Sequence, residues 1–101
     1  MAMKNKKFAP YIDFIPLQVA AYQPKDNIGL FELVMQETLL YKPDVHLIKD
    51  YDGNTLAHLA ALSSNNATLL YLLEWEFEKR QDFFLHTLNK HQRTALDICI
   101  H

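Results

Sequence analysis

Residues 50–61 read DYDGNTLAHLAA: an acidic turn with a glycine leads directly into Thr-Leu-Ala-His and then a pair of alanines. A similar stretch, TALDICIH, occupies 94–101, and Thr94 aligns with Thr55 at an offset of 39 residues. An earlier stretch, IPLQVAAYQP at 15–24, aligns through its own pair of alanines. A period of about 40 residues is typical of stacked structural repeats. The sequence therefore predicts three copies of one unit.

Each copy is predicted to contain two helices. In the middle copy, apolar residues at 56–63 predict a short helix A, and the polar run SSNN at 63–66 predicts a turn. Apolar residues then recur at helical spacing from 67 to 80 and predict a longer helix B. The first copy has equivalent helices predicted at about 16–22 and 27–41. The apolar stripe of the middle helix B includes Leu69, Leu70, Leu73 and Phe77.

Several positions around helix A follow from backbone chemistry. The Thr55 hydroxyl is placed to accept a hydrogen bond from an unpaired N–H of the first helical turn, and Thr94 occupies the same place in the last copy. Gly53 is expected to take a positive φ in a tight turn, which glycine adopts at little cost. The small side chains of Ala60 and Ala61 allow a neighbouring helix to approach closely.

The composition is that of a globular protein, with 50% hydrophobic and 22% charged residues. A chain of 101 residues is predicted to form a single domain over 1–101, of which residues 1–9 are expected to be flexible. The net charge of −2 lacks the basic excess of a nucleic-acid binder. There is no apolar run long enough to span a membrane, and Cys99 is the single cysteine. We therefore expect a cytoplasmic protein that binds neither membranes nor nucleic acid.

These features resemble the ankyrin repeat. That family has an acidic turn with glycine, a Thr-Pro-Leu-His helix start followed by two alanines, a polar loop and a leucine-rich second helix. Residues 50–73 match it best, although Leu56 and Ala57 replace the usual Pro-Leu, and the last copy has Gln92 for the glycine and Asp97 for the histidine. The resemblance implies an all-α, ankyrin-like solenoid of stacked helix-turn-helix repeats, with connectors longer than is usual. The expected repeats are about 10–49, 50–88 and 89–101, the last incomplete.

The resemblance also implies a function. Ankyrin-type solenoids bind other proteins on the surface formed by their turns and A helices. We therefore expect a noncatalytic protein-interaction module without a cofactor. The alternative is a regulatory or substrate-recruiting segment of a larger protein, or an effector exported into a host cell. Because the last copy stops after helix A, we also expect either a longer array or self-association through the C-terminal end. The expected contact residues are Tyr51, Asp52, Asn54, Leu62, Ser63, Lys90, His91, Arg93 and Tyr22, with Tyr11, Phe14 and Gln23 as further candidates.

Residues that could carry chemistry have simpler structural interpretations. His58 is expected to form a hydrogen bond to the backbone of a neighbouring turn. His86 and His91 lack further ligands at metal-binding spacing. Cys99 aligns with Ala60 and is expected to be a buried small residue, without the base that a nucleophilic thiol needs. The sequence therefore predicts no catalytic residue and no metal site.

The end of the middle helix B is rich in aromatic residues. They are predicted to pack in the core beneath the lengthened connector, and the alternative is an exposed aromatic ridge for a partner. Glu76 and Arg80 are spaced for an i,i+4 ion pair. The aromatic residues are Tyr71, Trp75, Phe77, Phe83 and Phe84.

Overall fold

The computed structural model describes residues 16–23 and 28–100, and over that part of the chain it contains helices but no strand. The all-α prediction is confirmed. The expected contacts Tyr11 and Phe14 and the segment 1–9 lie outside the described residues. The helices are α1 Pro16–Ala21, α2 Ile28–Tyr41, α3 Leu56–Leu62, α4 Asn66–Glu78, α5 Phe83–His86 and α6 Ala95–Ile100, and a 3-10 turn covers Val45–Leu47.

The helices form two hairpins that share one core. α1 packs against α2 and α3 packs against α4, while α3 also contacts both α1 and α6. α2 and α4 touch each other as well. Every residue from 56 to 61 in α3 is buried, and three of these residues are alanines. α3 therefore lies at the centre of the core, where its small side chains let the neighbouring helices approach closely.

The ends of the central hairpin are fixed by side-chain caps. The Thr55 hydroxyl accepts a hydrogen bond from the His58 N–H and caps α3, as expected from the sequence. Asn65 caps α4 in the same way, since its Oδ1 accepts from the Thr68 N–H at 3.1 Å. Between these caps Ser64 has a φ of 62°, which reverses the chain. Local hydrogen bonds thus decide where both helices begin.

The end of α4 differs from the predicted one. The helix ends at Glu78, and Arg80 lies beyond it with a φ of 59°. The expected i,i+4 ion pair between Glu76 and Arg80 is therefore wrong. Instead, the buried Glu76 carboxylate accepts hydrogen bonds from the N–H groups of Phe84 and Leu85 at 2.7 and 3.0 Å. Burial raises the pKa of Glu76, and these two hydrogen bonds oppose that effect. The carboxylate therefore fixes the start of α5 against α4.

The aromatic residues near α5 divide between the core and the surface. Phe84 is fully buried, and the Trp75 ring lies 6.5 Å from it and 5.0 Å from the ring of His46. Phe83 is half-buried beside Phe84. Phe77, by contrast, is 81% exposed, which corrects its predicted place in the core. It lies on the side of α4 that turns away from the other helices.

Candidate functional site

A first turn, residues 50–54, is organised by the side chain at its start. The Oδ1 atom of Asp50 accepts hydrogen bonds from the N–H groups of Asp52 and Asn54 at 2.9 and 2.8 Å. The Asp50 backbone adds two bonds, from its N–H to the Asn54 carbonyl and from the Gly53 N–H to its own carbonyl. A side chain that accepts from N–H groups further along the turn holds the backbone in one shape.

A second turn, from Asn89 to Arg93, repeats this arrangement 39 positions later. The Oδ1 atom of Asn89 accepts hydrogen bonds from the N–H groups of His91 and Arg93 at 2.9 and 3.1 Å. Gln92 occupies the place of Gly53, and their φ angles are 63° and 77°. The period of 39 is therefore present in the hydrogen bonds of the turns as well as in the sequence.

The two turns are joined to each other by direct hydrogen bonds. The Lys90 N–H donates to the Asp52 carbonyl at 2.9 Å, and the Asn89 side-chain amide donates to Asn54 Oδ1 at 2.9 Å. A Cβ atom on Gly53 would lie only 3.2 Å from the Lys90 backbone nitrogen. The close approach of the second turn therefore favours glycine at this position, in addition to its positive φ.

His58 connects α3 to the second turn. Its Nδ1 accepts a hydrogen bond from the Thr55 N–H at 3.0 Å, and its Nε2 lies 2.8 Å from the Arg93 carbonyl oxygen. Because an amide only donates and a carbonyl only accepts, these partners place the proton on Nε2. The side chain is fully buried, and burial lowers the pKa of His58 below its ordinary 6.5 despite the opposing Arg93 carbonyl. The neutral ring is therefore the form that fits this site.

The last copy keeps the local part of this arrangement. Asp97 Oδ2 accepts a hydrogen bond from the Thr94 N–H at 2.9 Å, and the Asp97 N–H donates to Thr94 Oγ1 at 3.1 Å. An ionised carboxylate has no proton to donate, so Asp97 cannot form an onward bond of the kind that His58 makes to Arg93. Asp97 and Thr94 therefore act as a cap for α6.

Most of the expected contact residues are exposed around the two turns. Tyr51 and Asp52 are exposed on the first turn, and Lys90, His91 and Arg93 are exposed on the second. The bonds that join the turns use backbone groups and asparagine amides, so they leave these charged side chains at the surface. The structure thus brings an acidic and aromatic patch next to a basic patch.

The expected contacts near α3 differ in exposure. Leu62, the last residue of α3, is 47% exposed. Ser63 is half-buried, and its hydroxyl lies 3.1 Å from the carbonyl oxygens of Gln23 and Ala60. Tyr22 is also half-buried. Ser63 therefore helps to hold the two hairpins together, while Leu62 is an exposed apolar side chain at the end of α3 that lies away from the first turn.

Asn54 does not lie at the tip of its turn. Its side chain is only 5% exposed, with its amide nitrogen donating to Asp50 Oδ2 at 3.1 Å and its oxygen accepting from Asn89. Both polar atoms are thus used within the protein. This finding corrects the expectation that Asn54 contacts a partner and gives it a structural role, which the spacing alone did not indicate.

Cys99 is exposed, which corrects its expected burial. Its aligned residue, Ala60, is buried because α3 has contacts with α1, α4 and α6. In α6 Ala95 is buried, and the Cys99 thiol lies at the surface 3.8 Å from Asn66 Oδ1. Alignment between repeats predicted the residue's position on the helix but not its surroundings.

Comparisons with known proteins add no relative. No protein-family model matches the chain, and neither a curated protein nor a solved structure is significantly similar to it. Among the described residues, no group of three or more His, Cys, Asp or Glu side chains could hold a metal ion. In the same part of the chain, no helix is long and apolar enough to cross a membrane. Interpretation of the surface therefore depends on its own contacts.

Proposed function

We propose that the protein is an ankyrin-type repeat module that binds another protein through the exposed residues of its two turns and of α3. The repeated turn is the observation that supports this most. The same side-chain-to-backbone hydrogen bonds start at Asp50 and at Asn89, and two hydrogen bonds join one turn to the other. This is how successive units of a solenoid would present their turns side by side.

The turns have properties that suit partner binding. Their backbones are held by internal hydrogen bonds, so a partner would bind without first ordering them, which lowers the cost of association. Tyr51 and Arg93 are of residue types enriched in interface hot spots. The acidic Asp52 lies in a different patch from the basic Lys90 and Arg93. A partner with a base opposite the first turn and an acid opposite the second would match this arrangement.

The proposal is tested by comparing the proteins captured from a lysate by three forms of the chain. The test variant replaces Tyr51, Asp52 and Arg93 together with alanine. The control replaces an exposed tyrosine, base and acid away from the turns, namely Tyr41, Lys42 and Asp44. For a protein captured by the natural chain, we expect the test variant to bind about tenfold more weakly or worse and the control to bind unchanged. Equal recovery by all three forms would show that the turns are not the binding surface.

A further inference from the structure

Helices α2 and α4 each expose large apolar side chains, and on each helix one pair lies on the side away from the core. On α2 these are Leu33 and Leu40, which are 58% and 76% exposed, and on α4 they are Leu70 and Phe77, which are 56% and 81% exposed. In each helix the two residues are seven positions apart, a rise of about 10.5 Å along the axis. The two helices are in contact, and each carries its pair as an exposed stripe. We call these four residues the outer face.

The line of contact between α2 and α4 is acidic. Tyr71 of α4 packs edge-on against Phe31 of α2, with ring centroids 5.7 Å apart, which marks this seam. Burial and then the carboxylates of Glu32 and Glu78 raise the pKa of Tyr71, so an acid from each helix lies near it. Glu74 is exposed one helical turn before Glu78. Neither α2 nor α4 contains a lysine or arginine that could neutralise these acids within the two helices.

The charge of the seam limits what can cover the outer face. An anionic membrane surface would be repelled by the glutamates. A second copy using the same face would bring acids against acids, because a two-fold interface pairs identical patches. A helix that carries apolar residues together with lysine or arginine would instead bury the apolar stripes and pair with the acids.

We propose that the outer face binds a basic amphipathic helix of a partner protein, which lies along the α2–α4 seam. The matching helix would be about 14 residues long, because α2 has 14 residues and spans about 21 Å. Its apolar residues would recur at helical spacing to contact Leu33 and Leu40 on one side and Leu70 and Phe77 on the other. Its lysine or arginine residues would reach Glu32, Glu74 and Glu78. This surface is separate from the turns and does not depend on the function proposed for them.

The probe is a labelled synthetic helix of about 14 residues with leucine at helical spacing and lysine between the leucines. Two comparison peptides are a scrambled sequence of the same composition and a version with glutamate in place of lysine. Fluorescence anisotropy measures binding of each peptide to the full chain. The test variants are Leu70→Ser with Phe77→Ser, and separately Glu74→Lys with Glu78→Lys. The control is Leu88→Ser, which removes a comparably exposed leucine between α5 and the second turn.

We expect the lysine peptide alone to bind saturably. Both test variants should weaken its binding about tenfold or more, while Leu88→Ser leaves the binding unchanged. Circular dichroism checks that each variant is folded, and the charge reversal remains informative if the serine variant is not. The proposal is overturned if the scrambled or glutamate peptide binds equally well, if no peptide binds, or if Leu88→Ser weakens binding as much as the test variants.

Two other occupants have their own signatures. The chain carries Lys4, Lys6 and Lys7 near its start. Stronger peptide binding by a variant with glutamate at these three positions would assign the outer face to the chain's own basic segment. A dimer in sedimentation equilibrium that Phe77→Ser dissociates would assign the face to a second copy. Either result would replace the proposed partner helix. If neither is observed, the partner helix remains the proposed occupant.

Discussion

Replacing His58 with alanine removes the side chain that connects α3 to the second turn. The imidazole accepts a hydrogen bond from the Thr55 N–H at 3.0 Å and donates one to the Arg93 carbonyl at 2.8 Å. After the substitution the Arg93 carbonyl keeps the Asn89 N–H as a partner, whereas the buried Thr55 N–H loses its acceptor. An unsatisfied buried N–H costs about 1–3 kcal/mol, and the lost bond to Arg93 costs about 1 kcal/mol more.

The free energy of unfolding should therefore fall by about 2–4 kcal/mol in His58→Ala. That is a large fraction of the roughly 5–15 kcal/mol that stabilises a typical domain. Two further variants separate the contributions. His58→Asn retains an oxygen that can accept from the Thr55 N–H and should lose about half as much. Asp97→Ala removes an exposed cap of α6 and should cost about 1 kcal/mol.

Urea unfolding followed by tryptophan fluorescence measures all of these variants, because Trp75 is the single tryptophan and lies in α4. The expected order of loss is His58→Ala, then His58→Asn, then Asp97→Ala. A loss for His58→Ala no greater than that for Asp97→Ala would show that His58 is only a local cap and does not join α3 to the second turn.

Acid, backbone strain and thiol reactivity give further tests of the same contacts. The folded protein holds His58 neutral with a lowered pKa, so below about pH 6.5 the unfolded chain binds more protons and stability falls. The fall in the free energy of unfolding with decreasing pH should be shallower in His58→Ala than in the natural chain. Equal pH dependence of the two proteins in urea titrations would contradict the neutral ring. Gly53→Ala should cost about 1–2 kcal/mol in thermal unfolding because a Cβ is disfavoured at positive φ. Gln92→Gly should not destabilise the protein. A greater loss of stability in Gln92→Gly than in Gly53→Ala would count against the equivalence of the two turns. Cys99 should react with a maleimide in the folded chain, whereas reaction only in urea would contradict its exposure.

The features that were predictable from the sequence are those set by nearby residues. The Thr55 cap, the positive φ of Gly53 and the limits of α3 depend on residues a few positions apart, and the repeat supplies the same signal at Thr94. The roles of Asp50 and Asn89 were missed, although a signal was present. Each residue starts a turn, each has a side-chain oxygen that can accept from backbone N–H groups, and the two align at the repeat offset.

The features that were not predictable depend on which elements meet in space. Glu76 is spaced for an ion pair with Arg80, but the start of α5 supplies two N–H groups that hold its carboxylate in the interior. Phe77 belongs to an apolar helical stripe, yet the neighbouring helices cover the other side of α4. Cys99 has a buried counterpart in Ala60, and only the packing around α3 explains the difference. Hydrophobic spacing thus identifies a helix more securely than it identifies the side that the protein buries.

The connection between the repeated units is tested most directly by the protonation of the His58 ring. Nitrogen-15 NMR of the imidazole distinguishes which ring nitrogen carries the proton near neutral pH. The hydrogen bonds to Thr55 and Arg93 require the proton on Nε2, with Nδ1 unprotonated and the Nε2–H protected from solvent exchange. A proton on Nδ1, or a ring that exchanges rapidly between the two forms, would contradict the joining of α3 to the second turn.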